Sequence, residues 1–459
     1  MKQRSFVAWL ACVAVLAAST FAEDATSEKL TYSPSGYMAL QFLQFEKYKY
    51  KGSNMERKLS SNSVMNLTLD LASSEQFKFH VGVEGFVWSN TIPDTLIHDY
   101  STMFLPQWSF YIHRADGAYS FGDPEKFSGE IGFGLFPYKY NPQVRNLGEY
   151  LFRSGTYPGW LINNFDWTAA RLSGLRFGAT AWDKWHNDFM LTTELEMVPF
   201  YDFSFSWISS VQVGKVLDIG AGVSLARFLP SNDNLTTPKA PRNAKEITNI
   251  RTVDNGVTID TLADTAYYTY KGTKLMGRLT FNPKGFFGDQ ISNIFGEEDG
   301  KIYFEAAVLG LENQGVNDSL HNLKAYYDTL SQRIPVMIGF NVPVFKLLDV
   351  LSLEAEYYKS PYPDDYGTQL RWMSQTEGTP VPAPGVGDYL RTINDIYTKD
   401  SWKWSVYAKR SIGSHFAIIG QAARDHLRTR TSYLQYADGE AAFVKSNQWY
   451  WALKAVTVF

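Results

Sequence analysis

Hydrophobic and polar side chains alternate along residues 65–88, MNLTLDLASSEQFKFHVGVEGFVW. Leu67, Leu69 and Leu71 fall on one face of the first half, while Thr68 and Asp70 fall on the other. A period of two predicts two β-strands, and the polar break at 73–76 predicts the hairpin turn that joins them. One face of this hairpin is therefore apolar and the other carries charge, so the apolar face contacts either a protein core or lipid.

The same alternation recurs along the whole chain and predicts about 16 strands, within a range of 14–18. Many of these segments have roughly the 9–11 residues with which a tilted strand crosses a bilayer. The predicted strands lie near 36–50, 62–72, 77–90, 106–115, 128–138, 172–182, 188–198, 203–213, 217–228, 272–282, 301–311, 333–343, 351–359, 402–410, 415–426 and 447–459.

The connections between these strands alternate between short and long. This alternation is typical of outer-membrane barrels, which have short periplasmic turns and long outside loops. The segment 283–300 breaks the alternation, and its Phe286, Phe287, Ile291, Ile294 and Phe295 predict a short amphipathic helix within a turn. The predicted external loops are 137–171, 229–271, 312–332, 360–401 and 427–446.

The N-terminus predicts export. Lys2 and Arg4 precede an apolar run that is too short to span a membrane, and small residues follow up to Ala22, so a cleaved signal peptide is expected at 1–22. A lipoprotein site at Cys12 is the weaker alternative. Cys12 is the only cysteine, so disulfides are not expected to stabilise the exported chain.

Composition narrows the class of protein further. Aromatic residues make up 16% of the chain, yet no segment after the signal has the 18 or so uninterrupted apolar residues of a spanning helix. Of 43 basic and 47 acidic residues, cleavage would remove Lys2 and Arg4 and leave a net charge of about −6. That balance lacks the basic stripe that nucleic-acid binding requires.

The last strand supports a membrane barrel. Trp449, Trp451, Leu453, Ala455, Thr457 and Phe459 share one face, with an aromatic residue at the end. This strand resembles the C-terminal recognition strand of Gram-negative outer-membrane β-barrel, porin-like proteins, although Thr457 replaces the large residue usual at that position. The resemblance implies insertion by the barrel assembly machinery, with Trp451, Leu453, Ala455 and Phe459 as the assembly signal.

The predicted fold class is therefore all-β: a transmembrane antiparallel up-and-down β-barrel over 23–459. A closed barrel pairs every strand and leaves no edge in hydrocarbon. The alternative is a soluble secreted β-sandwich or propeller. The aromatic residues are interpreted as girdles at the two membrane interfaces, with a sugar-stacking track at Trp182, Trp185, Trp402 and Trp404 as the alternative.

If the apolar faces contact lipid, the charged faces line a water-bearing lumen. Burying so many charges in a packed sandwich would cost several kcal/mol each unless they were paired. Pairing across strands, which would only hold the wall together, is the alternative for each residue. The predicted lumen-lining residues are Asp70, Lys78, Glu84, Glu194, Glu196, Arg278, Glu305, Glu354, Glu356 and Lys454.

The segment 137–171 is the most distinctive predicted loop, because it keeps aromatic and leucine side chains that a disordered loop would not need. It looks like the inward-folding constriction loop of general porins, and an external cap is the alternative. Its charges would create a transverse field against the acidic wall. The predicted constriction residues are Lys139, Arg145, Glu149, Arg153 and Arg171.

These features predict a porin-like channel in the bacterial outer membrane for passive diffusion of small hydrophilic solutes. The alternatives are a transporter of hydrophobic or oligosaccharide substrates, or a surface barrel whose loops act in adhesion. No catalytic motif, metal-ligand spacing or dinucleotide fingerprint is present, so neither enzyme activity nor a cofactor is expected. The expected partners are outer-membrane lipid, the barrel assembly machinery and small solutes, with homo-oligomerisation open.

Overall fold

The computed structural model describes a chain made almost entirely of strands. The described residues are 31–47, 56–57, 59–88, 107–123, 125–153, 169–193, 203–229, 244–254, 259–269, 272–287, 294–311, 330–359, 402–425, 428–429, 440–441 and 447–459. Within these residues, no helix is long and apolar enough to cross a membrane.

The strand bounds follow the alternating segments of the sequence closely. The first nine strands are β1 (Thr31–Lys47), β2 (Leu59–Ala72), β3 (Phe77–Trp88), β4 (Gln107–Asp123), β5 (Phe127–Tyr138), β6 (Ala170–Ala181), β7 (Trp185–Thr193), β8 (Phe203–Val213) and β9 (Leu217–Leu229). The others are β10 (Ala244–Asp254), β11 (Ile259–Thr269), β12 (Gly272–Phe281), β13 (Ile302–Val308), β14 (Pro335–Asn341), β15 (Val350–Tyr358), β16 (Trp402–Ile412), β17 (Phe416–Arg424), β18 (Arg428–Thr429), β19 (Glu440–Ala441) and β20 (Trp449–Val458). The helical pieces are α1 (Tyr150–Arg153) and two 3₁₀ turns, Pro283–Phe286 and Leu330–Arg333.

Sixteen of the described strands form one closed antiparallel barrel, in the order β1 to β9, β12 to β17 and β20. The barrel closes where β20 pairs with β1, for example Lys454 with Gln41. Hairpins β10–β11 and β18–β19 are separate two-stranded sheets, each within one of the long connections. Closure pairs all sixteen strands on both sides, which removes the free edges that hydrocarbon would not tolerate.

Side-chain burial alternates along the strands and identifies the two faces of the wall. In β13, Ile302 and Phe304 are 38% exposed, while the alternating residues Tyr303 and Glu305 are fully buried. In β2, Leu67 and Leu69 are exposed, whereas Asn66 is buried. The exposed face is thus apolar and the inner face polar, the arrangement of a transmembrane barrel with lipid outside.

The predicted fold and strand number are confirmed, with differences at a few boundaries. Strand β4 continues to Asp123, where the sequence predicted an end at 115, because β3 pairs with it up to Tyr119 and β5 pairs with it up to Asp123. The helix expected within 283–300 is wrong for the described part, which contains only a 3₁₀ turn at Pro283–Phe286. The position of Ile291 lies outside the described residues.

The connections between strands differ in length at the two ends of the barrel. Connections at one end of the barrel are short, as at Ser73–Gln76 between β2 and β3, and we call this the short-turn end. The segment between β12 and β13 is the longest at that end. Connections at the opposite end are long, and the segment 139–169 that joins β5 to β6 starts there.

Candidate functional site

The first half of the 139–169 connection, residues 139–153, lies against the inner face of the barrel, and we call it the inner segment. Its apolar side chains are buried: Val144, Leu147, Tyr150 and Leu151 are at most 2% exposed. They belong to a buried cluster that also contains inner-face side chains of β8, β12, β13, β14 and β15. The wall residues of that cluster include Ile208, Met276, Tyr303, Met337 and Tyr358.

Glu354 of β15 is the main anchor of the inner segment. Its carboxylate accepts the backbone N–H groups of Arg145 (2.6 Å), Asn146 (2.9 Å) and Leu147 (2.8 Å). The hydroxyl of Tyr303 also donates to it at 2.9 Å. Hydrogen bonds to a charged group each contribute about 1.5–3 kcal/mol, so three successive N–H donors hold the segment firmly to the wall.

Glu305 of β13 binds both ends of the inner segment. Its carboxylate accepts the hydroxyl of Tyr140 (2.7 Å), the amide of Asn141 (2.8 Å) and the backbone N–H of Tyr150 (2.9 Å). Glu356 of β15 accepts the hydroxyl of Tyr150 at 2.8 Å. Three carboxylates from two strands therefore meet hydrogen-bond donors of one segment, which satisfies groups that would be costly to bury unpaired.

The inner segment is also closed upon itself. Glu149 has a positive φ of 62°, and its carboxylate accepts the backbone N–H groups of Tyr140 and Asn141. Gly148 precedes it with a φ of 94°, a conformation that glycine adopts without strain. The backbone therefore turns back between the two halves of the segment, so that the carboxylate of Glu149 meets donors eight and nine residues earlier.

The predicted constriction residues have different surroundings from those expected. Lys139 donates its ammonium to the carbonyl of Val144 at 2.7 Å, and Arg145 donates to Glu298 at 3.0 Å in the connection between β12 and β13. The hydrogen bonds to Glu305 and Glu354 come from backbone N–H groups, tyrosine hydroxyls and an asparagine amide. The hydrogen bonds described between the inner segment and these two wall carboxylates therefore come from uncharged donors.

Of the two further residues of that set, Arg171 is not brought to the inner segment's wall contacts. Arg153 ends α1, and its side chain lies outside the described part of the structure. Arg171 pairs with Pro137 and shares its strand face with exposed Leu175, opposite to the buried Ala170 and Leu172. The strand alternation therefore does not place Arg171 beside the inner segment.

The described residues predicted to line the lumen all lie on the inner face. Glu305, Glu354 and Glu356 are covered by the inner segment. Most of the others have partners on other strands of the wall. Asp70 contacts His80 at 2.5 Å, and Arg278 contacts Asp218 at 2.9 Å. Glu84 accepts from Asn66 and from Tyr37, at 2.9 Å each. Lys454 lies 5.4 Å from the ring centroid of Tyr37, while Lys78 is exposed. Glu194 and Glu196 lie outside the described residues.

Aromatic residues lie on both faces of the wall. Buried inner-face tyrosines donate their hydroxyls to acids, as Tyr138 does to Asp188 at 2.8 Å and Tyr450 to Asp425 at 2.7 Å. The tryptophans of the hypothetical sugar track do not line the lumen: Trp185, Trp402 and Trp404 alternate with inner-face residues, and Trp182 is 67% exposed in a turn. The stacking-track interpretation is therefore wrong for these four residues, because their rings belong to the outer surface and its rim.

The sequence predicted the wall carboxylates of this site but missed the donors that bind them. The missed donors include groups of four uncharged residues of the inner segment: Tyr140, Asn141, Asn146 and Tyr150. A carboxylate that binds backbone N–H groups leaves no trace in the sequence, since every residue except proline carries that donor. Within the described residues, no group of three His, Cys, Asp or Glu side chains is arranged to hold a metal ion.

No protein-family model matches the chain, and no curated protein sequence matches it. Among solved structures, two multiple mutants of Rhodopseudomonas blastica porin align with 94% of this chain and 100% of their own, with TM-scores of 0.40 and sequence identities of 7% and 6%. A third structure, described as "Asymmetric conductivity of engineered proteins", aligns over the same shares with a TM-score of 0.41 and 7% identity.

Proposed function

We propose that the protein is a porin-like channel that lets small hydrophilic solutes diffuse through a bacterial outer membrane, with the inner segment narrowing the passage. The observation that supports this proposal is the attachment of residues 145–147 to Glu354, which holds a loop inside the barrel rather than above it. A fixed segment on one side of a polar-walled barrel reduces the cross-section without depending on a mobile lid. The barrel by itself, with its apolar outer face, supports a membrane location.

The test of the channel is conductance in planar bilayers. The purified protein is expected to give stepwise current increments, each from one inserted barrel. A barrel that stays sealed at all voltages would overturn the proposal and leave an anchoring role for the wall. Saturable block by an added oligosaccharide would instead favour a substrate-binding transporter.

The constriction itself is tested by Glu354→Gln. Glutamine keeps one acceptor oxygen but places an NH₂ group against backbone N–H donors, so the inner segment is expected to leave the wall. Single-channel conductance and current noise should both rise. Asp70→Asn is the matched control, because Asp70 is also an inner-face acid but contacts His80 rather than the inner segment. Equal conductance in both variants would show that the segment does not set the passage.

We also propose roles for the two ends of the chain in export and assembly. Residues 1–22 act as the signal peptide, and Trp451, Leu453, Ala455 and Phe459 act as the assembly signal in the strand that closes the barrel. Phe459 exchanges two backbone hydrogen bonds of 3.0 Å with Gly36 of β1. Phe459→Ala keeps these backbone bonds but removes the terminal ring of the assembly signal, so it should lower the yield of assembled barrel in the outer-membrane fraction. Thr457→Ala, on the same face, should leave that yield near normal.

A further inference from the structure

Two neighbouring connections at the short-turn end carry exposed apolar side chains, where the turns of β2–β3 and β4–β5 carry polar ones. Phe286, Phe287 and Ile294 belong to the connection between β12 and β13, and Phe345 and Leu347 to that between β14 and β15. We call these five residues the rim patch. Their exposures run from 56% to 76%, whereas the exposed outer-face side chains of the adjoining strands run from 37% at Phe340 to 53% at Ile338. Clustered exposed apolar groups of this size mark an interaction surface.

The rim patch continues the lipid-facing belt. Phe281 is the last residue of β12 and lies on its outer face, and its ring centroid is 6.1 Å from that of Phe286. The two connections also contact each other, since the rings of Phe295 and Phe345 are 5.2 Å apart. The patch is therefore one surface that begins at the edge of the membrane-facing wall.

The backbone of the connection between β14 and β15 is strained at the exposed residue Phe345. Phe345 and Lys346 have φ values of 51° and 65°, and the N–H of Leu347 donates to the carbonyl of Val344 at 2.9 Å. Two consecutive positive φ angles are the feature of type I′ turns, in which Asn-Gly is preferred and bulky residues are costly. A phenylalanine at such a position costs stability in water.

Three contacts hold that turn in place. The carboxylate of Asp299 accepts the N–H of Phe345 at 3.0 Å and that of Gly296 at 2.8 Å, which joins the two connections. Arg410 donates to the carbonyl of Lys346 at 2.6 Å. The Arg410 and Lys346 side chains are both exposed beside the patch, where cations fit a layer of lipid phosphates.

The same device recurs at a second short turn. Trp182 and Asp183 have φ values of 53° and 55°, and Trp182 is 67% exposed. The N–H of Lys184 donates to the carbonyl of Ala181 at 3.2 Å. An aromatic side chain thus again occupies the first central position of a turn with positive φ, which indicates that presenting the ring offsets the strain.

We propose that the rim patch is an interfacial anchor that inserts into the headgroup boundary of the lipid leaflet at the short-turn end. Aromatic and leucine side chains gain free energy at that depth, and the neighbouring cations bind phosphate. The anchor covers one sector of the rim, on the side of the wall to which the inner segment is attached. It requires only that the barrel spans a bilayer, so a sealed barrel would overturn the channel and leave the anchor intact.

The test uses spin labels at single cysteines, because the only cysteine of the chain lies in the predicted signal peptide. Labels are placed at Phe286, Leu347 and Lys346 in separate variants. The label at Lys346 leaves all five residues of the rim patch unchanged. Labels at Ser74 and Glu125, in polar turns at the same end, are the matched controls. Each protein is reconstituted into vesicles of phosphatidylcholine and phosphatidylglycerol after its heat-dependent gel shift has shown that it is folded.

The measurement is the collision rate of each label with oxygen, which concentrates in the bilayer, relative to that with a water-soluble nickel chelate. This ratio should be severalfold higher at Phe286, Leu347 and Lys346 than at Ser74 and Glu125. Equal ratios at all five sites would place the rim patch in water and overturn the proposal, in favour of a soluble partner or none. A high ratio at Phe286 and Leu347 with a control-like ratio at Lys346 would also overturn it, because the label itself would then be the inserting group.

Discussion

Single residues decide how the barrel closes, and Gly36 lies at the seam between β1 and β20. Its backbone N–H and carbonyl both bond Phe459 at 3.0 Å. A Cβ at this position would overlap the carbonyl oxygen of Asn66 and lie 3.1 Å from the ring of Phe459. Gly36 therefore leaves room for a backbone and a ring that approach from opposite sides.

Gly36→Ala is expected to destabilise the barrel by about 1–3 kcal/mol, the usual cost of overpacking. Urea unfolding in lipid vesicles measures this change, and the fraction of heat-resistant barrel on gels should fall in parallel. Ser35→Ala, at the preceding residue, is the control and should change stability little. Unchanged stability in Gly36→Ala would show that the seam has room to spare.

At the level of elements, the strands could be predicted from the sequence and the inner segment could not. Alternation is local, so Leu67, Thr68 and Leu69 alone assign the two faces of β2. The contact of Glu354 with residues 145–147 spans more than 200 positions and uses backbone donors, for which the sequence has no pattern. Charge counting predicted Arg145 against the wall acids, and the structure adds a guanidinium contact to Glu298, which no sequence pattern indicated.

The inner segment has a pH limit set by Tyr140. Burial first, and then the carboxylates of Glu305 and Glu149, raise the pKa of the Tyr140 hydroxyl well above the usual 10.0. Because the folded pKa exceeds the unfolded one, the stabilisation by this protonated hydroxyl is complete below pH 10 and declines as the pH rises further. The attachment of the segment should therefore weaken only in strongly alkaline solution.

Conductance recorded from pH 6 to about pH 11 tests this expectation, since the usual tyrosine pKa is 10.0. The conductance should be steady up to about pH 10. Above that pH it should rise or become noisy, because the segment is held less firmly to the wall. Tyr140→Phe cannot donate to Glu305, so it should already be noisier at neutral pH and show a smaller alkaline change. An alkaline change of equal size in both proteins would assign it to other groups.

The whole molecule is stable only if every outward face of the wall meets lipid, and Leu69 tests that requirement. It is 38% exposed and lies in β2 between the inner-face residues Thr68 and Asp70. Near the bilayer midplane, Leu69→Arg should cost about 2–4 kcal/mol, because no water reaches a charge there. Glu75→Arg introduces an arginine in the exposed turn outside the hydrocarbon and should cost almost nothing.

Folding titrations of both variants into vesicles of one lipid measure the difference, and free tolerance of Leu69→Arg would contradict a lipid-facing β2. Thicker bilayers should enlarge the penalty if Leu69 lies near the midplane, since an arginine side chain then has farther to reach before it meets the interface.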